Sequence, residues 1–95
     1  MLRQPELPAI DDVGAFRLYA YFASVEPQKN RFRFYALSWQ GTLWGGAALI
    51  RSWGRIGTAG RSLTTQYPDR EGARVAVERL VRLRLKRGYR LVAWE

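Results

Sequence analysis

The sequence predicts an α+β domain, a single antiparallel β-sheet of four to five strands with one long α-helix packed on it. Three observations carry that expectation. Aromatic and apolar runs separated by turn residues fill the chain up to Tyr67, and a helical apolar period begins only after Pro68-Asp69. The 95 residues suffice for one hydrophobic core and not for two.

Residues 1–14, with Pro5, Pro8 and the Asp11-Asp12 pair, read as an extended or mobile arm, leaving 15–95 as the domain. Phe16 to Val25 is a first strand, and Glu26 to Asn30 a polar turn. Arg31 to Trp39 alternates, with Phe32, Phe34 and Ala36 on one face and Arg31, Arg33 and Tyr35 on the other, as a strand with one face on a core does. Gln40-Gly41-Thr42 turns the chain into a third strand, about Leu43 to Trp53, interrupted by Gly45-Gly46 as at a bulge. A glycine-punctuated loop, Gly54 to Gly60, precedes a fourth strand from Ser62 to Tyr67.

Asp69 suits the N-cap of a helix running to about Arg87. At 100° per residue, Ala73, Ala76, Val77, Leu80, Val81 and Leu83 share one face. Glu78 is spaced to pair with Arg74 and Arg82. Val75 and Leu85 fall off the apolar stripe and Arg84 falls inside it, with no reason visible in the sequence. Gly88 suits the left-handed residue that ends a helix, and Tyr89 to Trp94 supplies a short last strand.

Composition excludes much chemistry. Cys and His are absent, so there is no disulfide framework, no thiol nucleophile, no zinc finger and no Ser–His–Asp arrangement. The eight acids are scattered and mostly stand beside Arg, so no metal site, cofactor site or catalytic residue is expected. An enzyme using such carboxylates, Glu26 or Asp69 among them, is a reading that would need observed turnover to support it. No signal-peptide core or membrane-length apolar run occurs, so a cytoplasmic protein without a membrane partner is expected.

Charge is the positive signal. Sixteen bases against eight acids give +8, and the sequence pI is about 10.8. Residues 1–28 hold two bases and four acids, a net of −2, whereas 29–95 hold fourteen bases and four acids, a net of +10. That field concentrates polyanions at the surface. Fourteen of the bases are Arg, whose planar fork suits phosphate and stacks on rings, although a GC-rich genome also favours Arg over Lys.

The stretch Ile50-Arg51-Ser52-Trp53-Gly54-Arg55-Ile56-Gly57-Thr58-Ala59-Gly60 is the sharpest motif. An apolar strand, then Trp-Gly-Arg, Ile-Gly-Thr, a further Gly, a Ser/Thr-rich strand and a helix resembles the WGR domain. That module accompanies the catalytic domain of poly(ADP-ribose) polymerases and occurs in small bacterial proteins. The Phe32–Tyr35 strand and the Lys86-Arg87-Gly88-Tyr89 helix ending also resemble bacterial members, so the likeness spans roughly residues 16–90.

The resemblance implies DNA binding beside a strand break. Trp53 would pack on a terminal nucleotide's sugar, Arg55 would meet phosphate or a partner domain, and Gly54 would let the backbone come close. Arg51, two residues before Trp53 on the same strand face, and Arg61, just after the loop, are the neighbouring candidates. An indole among Arg residues also pairs a sequence-tolerant stacking surface with charge-assisted phosphate bonds on physical grounds alone. The family's catalytic domain and zinc fingers have no room in 95 residues lacking Cys and His, so the resemblance implies binding and not ADP-ribosylation.

Alternatives stand beside each assignment. Trp53 also suits a core anchor, Arg55 a bond to its own loop, and the glycines plain turn geometry. Trp39, Trp44 and Trp94 read as packing residues. The Gly-rich loop lacks the Lys-Ser/Thr ending and strand-to-helix placement of a nucleotide cradle, so no small-molecule substrate is expected. The expected partner is nucleic acid, DNA ahead of RNA, and the competing function is a protein–protein module built on the same Trp-Gly-Arg surface.

Overall fold

A computed structural model describes residues 17–42 and 45–94. The expected arm over 1–14, Phe16 and Trp44 lie outside the described residues, as does the side chain of Trp94. The elements are β1 (Arg17–Glu26), a short 3₁₀ turn (Pro27–Lys29), β2 (Arg31–Gly41), β3 (Ala47–Arg55), β4 (Arg61–Tyr67), α1 (Arg70–Lys86) and β5 (Arg90–Trp94). The sheet runs β4-β3-β2-β1-β5, with every pair antiparallel. Four strands form a meander. The helix then returns the chain to the far edge, where β5 pairs with β1.

The alternation in β1 and β2 separates two faces. Pairs Ala20↔Leu37, Phe22↔Tyr35, Leu37↔Arg51 and Trp39↔Leu49 lie on one of them, because directly opposed residues point the same way. Against that face α1 lays Ala73, Ala76, Val77, Leu80 and Val81, closing the core. Phe22, Leu37, Leu49 and Val77 are fully buried, and each such side chain contributes about 1.5–3 kcal/mol of burial free energy. The helix therefore covers the face that Tyr35 shares with Arg31 and Arg33. Phe32, Phe34 and Ala36 lie on the opposite, helix-free side.

Asp69 accepts a hydrogen bond from the Gly72 N–H at 2.7 Å and caps α1, as its position predicts. Glu78 pairs with Arg74 and, at 3.8 Å, with Arg82. Gly88 follows the helix at φ +88°. The boundaries of β3 differ from expectation. Gly45 and Gly46 precede the strand instead of interrupting it, in a turn where the Thr42 N–H donates to the Gly46 carbonyl at 2.9 Å. Trp53, Gly54 and Arg55 are its last three residues, so the triplet is strand, and the loop begins only at Ile56.

Candidate nucleic-acid interface

Burial falls along the helix-side positions of β3. Ala47 and Leu49 are buried, Arg51 and Trp53 half-buried, and Arg55 exposed. The helix covers the first part of this face and leaves the rest to solvent. There the ladder sets side chains in rows. Arg61 opposes Trp53, Trp53 opposes Tyr35, and Tyr35 opposes Phe22. In the next row Leu63 opposes Arg51, and at the strand end Arg55 opposes Arg33. The structure thus brings Arg51, Trp53 and Arg61 together on one surface, with Arg55 at its tip.

Trp53 has two aspects. Its ring packs against the buried cluster, yet the residue stays partly exposed. Gly54 meets its own chain. A Cβ there would lie 2.8 Å from the Gly60 Cα and 3.5 Å from the Phe34 ring, and one at Gly60 would collide with the Trp53 carbonyl. The loop closes over Phe34 on the helix-free side because these two residues carry no side chain. Phe34 is left 7 % exposed.

Arg55 reaches sideways to the β1–β2 turn. Its guanidinium lies 5.1 Å from the Phe32 ring centre and donates to the Asn30 side-chain oxygen at 3.2 Å and its carbonyl at 3.4 Å. Asn30 adopts φ 51°, with its N–H bonded to the Pro27 carbonyl, so the turn presents both acceptors to Arg55. Lys29, Asn30, Arg31, Phe32, Arg33 and Arg55 line an open pocket of about 340 Å³ at this corner. Four cations around one opening suit a phosphate or other anion.

Sequence reasoning missed this convergence, and it noticed Arg84 inside the apolar stripe without finding its role. The Arg84 guanidinium sits 4.4 Å from the centre of the Tyr35 ring and 5.6 Å from that of Tyr89, and Arg31 also lies 5.6 Å from the Tyr89 ring centre. Burial pushes the Tyr35 phenol above its ordinary pKa, and the Arg84 and Arg51 charges pull it partly back. The signals were present in the sequence. Arg84 interrupts the apolar stripe, and alternation sets Arg31 and Arg33 on the face of Tyr35. Among the described residues Arg33, Arg51, Arg55, Arg61 and Arg84 form no salt bridge, whereas Arg74 and Arg82 on the helix do.

Among the described residues no three His, Cys, Asp or Glu side chains gather as a metal site would require, and no helix is long and apolar enough to cross a membrane. A basic sheet-and-helix module that displays a Trp among Arg residues with no salt bridge to another described residue is the class of protein these features define. The chain belongs to the WGR domain family, whose model matches residues 19–93. That domain is in general a non-catalytic, nucleic-acid-binding module. The chain is also similar to the uncharacterized protein y4dW of Sinorhizobium fredii, at 39 % identity over 75 residues, which is 79 % of this chain. It spans only 36 % of that relative's length. No solved structure matches the chain.

Proposed function

We propose that this chain is a binding module for DNA ends, nicks or similarly structured DNA, acting through Trp53, Arg51, Arg55 and Arg61, with Gly54 allowing close approach. The observation that supports the reading is the row Arg61–Trp53–Tyr35, flanked by Arg51 and Arg55, in which no Arg is neutralised by a carboxylate among the described residues. An ion-paired Arg has little left to offer a phosphate; these keep an uncompensated charge, although Arg55 also donates to Asn30. Trp53, fixed on one side by the core, presents the remainder of its ring to a sugar or base without a large ordering cost. Arg51 and Arg61 flank it at the spacing of one strand residue pair and meet the adjoining phosphates. The corner pocket at Arg55 suits a terminal phosphate, which is the group that distinguishes an end from a continuous duplex.

The test is a fluorescence-anisotropy titration with blunt, nicked and closed-hairpin DNA at two salt concentrations, for the wild type, Trp53→Ala and Arg55→Ala. Salt-sensitive binding that prefers ends or nicks and is weakened by both substitutions is expected. A folded wild type that fails to bind any of them at low salt overturns the proposal and assigns Trp53 and Arg55 to a protein-docking surface.

A further inference from the structure

The five strands contain a single acidic residue among the described positions, Glu26, and the pair Glu26↔Arg31 places it on the helix side. Among the described residues the helix-free face of the strands has no carboxylate. It carries rings instead. Tyr19 and Tyr21 stand two residues apart on β1, so their side chains emerge on this face about 6.7 Å from one another. Tyr19 is 41 % exposed, and Phe32 is half-exposed on the neighbouring strand. Tyr21 lies parallel to Phe34, with ring centres 5.8 Å apart and planes 7° from one another, which holds its orientation before any ligand arrives.

The residues beside these rings are small. Ser38 opposes Tyr19, while Ala36 and Ala93 oppose Tyr21. Low neighbours leave room for a flat ligand against each ring. Among the residues whose side chains are described, the strand cation on this side is Arg90, opposite Ala23 and exposed. Across the sheet the face turns polar and neutral, with the Ser52 and Ser62 hydroxyls 2.9 Å apart. Among the described side chains a protein partner of ordinary composition would find no charge here to pair with except Arg90. A polyanion bearing flat rings finds both of its chemistries matched.

We propose that the helix-free face of the sheet is a stacking platform for single-stranded nucleic acid, with Tyr19 and Tyr21 carrying successive bases and Arg90 meeting the backbone. Open sheets with two exposed rings serve single strands in this way because every base has a stackable face, so recognition tolerates sequence. The site is separate from the Trp53 surface and does not rest on the duplex reading, since the two lie on opposite sides of the sheet.

The experiment titrates the full chain with a fluorescein-labelled oligothymidine of about 12 nucleotides, and with an abasic strand of equal length and charge. Stacking predicts that the abasic strand binds at least about fivefold more weakly, and that Tyr19→Ala lowers oligothymidine affinity by about fivefold or more. Tyr19→Phe, which keeps the ring, retains affinity to within about twofold, refolding of each variant being checked by circular dichroism. Equal affinity for the two strands, or an unchanged Tyr19→Ala, overturns the proposal, because the attraction is then charge alone. So does a wild type that ignores oligothymidine. Loss of duplex binding with retained oligothymidine binding would instead overturn only the reading of the Trp53 surface.

Discussion

The guanidinium carbon of Arg84 stands 4.4 Å from the centre of the Tyr35 ring, which accounts for an Arg inside the apolar stripe of α1. The side chain spends its stem on the core and its charge on two aromatic faces, Tyr35 and Tyr89. Arg84→Ala is expected to lower the unfolding free energy by about 1–2 kcal/mol in urea denaturation. Arg84→Lys should recover only part of that, because a compact ammonium does not stack. Full recovery by Lys would show that charge alone, and not the planar group, matters at this position.

The Tyr35 hydroxyl is buried with no hydrogen bond of full geometry among the described residues, although Arg51 is near enough to draw its pKa down. Tyr35→Phe removes an unsatisfied polar atom while keeping the ring, so it should raise stability by about 1 kcal/mol at neutral pH. The pH dependence has a definite sign. Burial raises the folded-state pKa above the ordinary phenol value of 10.0, so in alkali the unfolded chain loses this proton first. Stability is therefore intact below pH 10.0 and declines as pH rises from there through the folded pKa. Tyr35→Phe should flatten that decline in denaturation curves recorded from neutral pH into alkali, and an identical slope in both proteins would refute the assignment.

The order of elements, the Asp69 cap and the apolar face of α1 were legible because each rests on local chemistry: alternation, a capping side chain, a helical period. The Trp-Gly-Arg motif was legible for the same reason. What escaped were facts of pairing. Only the β2–β3 register sets Trp53 opposite Tyr35, and only the loop path brings Gly60 against Gly54. Arg55 shows the difference most clearly. Its bonds go to Asn30, twenty-five residues away, and no local pattern encodes a contact across three elements.

The loop glycines are unequal, which makes a stability prediction. Gly60, at φ +69°, lies under the Trp53 carbonyl, and a Cβ would also stand 2.9 Å from the Phe34 ring. Gly57, at φ +94°, has nothing within 4 Å of a Cβ. Gly60→Ala therefore carries backbone strain and a clash and should cost about 2–4 kcal/mol, whereas Gly57→Ala carries strain alone, about 1–2 kcal/mol. Thermal unfolding of the two variants side by side measures the difference, and equal losses would mean that the neck of the loop opens to admit the methyl group.

The salt dependence of DNA binding separates the Arg residues by task. Arg51 and Arg61 have no salt bridge among the described residues, and their proposed role is to meet phosphate beside Trp53. Each phosphate neutralised releases condensed counterions, so Arg51→Ala and Arg61→Ala should each reduce the slope of log K against log salt by about 0.9. Trp53→Ala is expected to behave otherwise. It removes a stacking surface and no charge, so affinity should fall by about fivefold or more at every salt concentration while the slope stays constant. Because Trp53 also packs on the core, its variant needs an unfolding curve alongside the titrations. A slope that changes with Trp53→Ala but not with Arg51→Ala or Arg61→Ala would place the phosphate contacts elsewhere, and the corner pocket lined by Lys29, Arg31, Arg33 and Arg55 would be where to look for them.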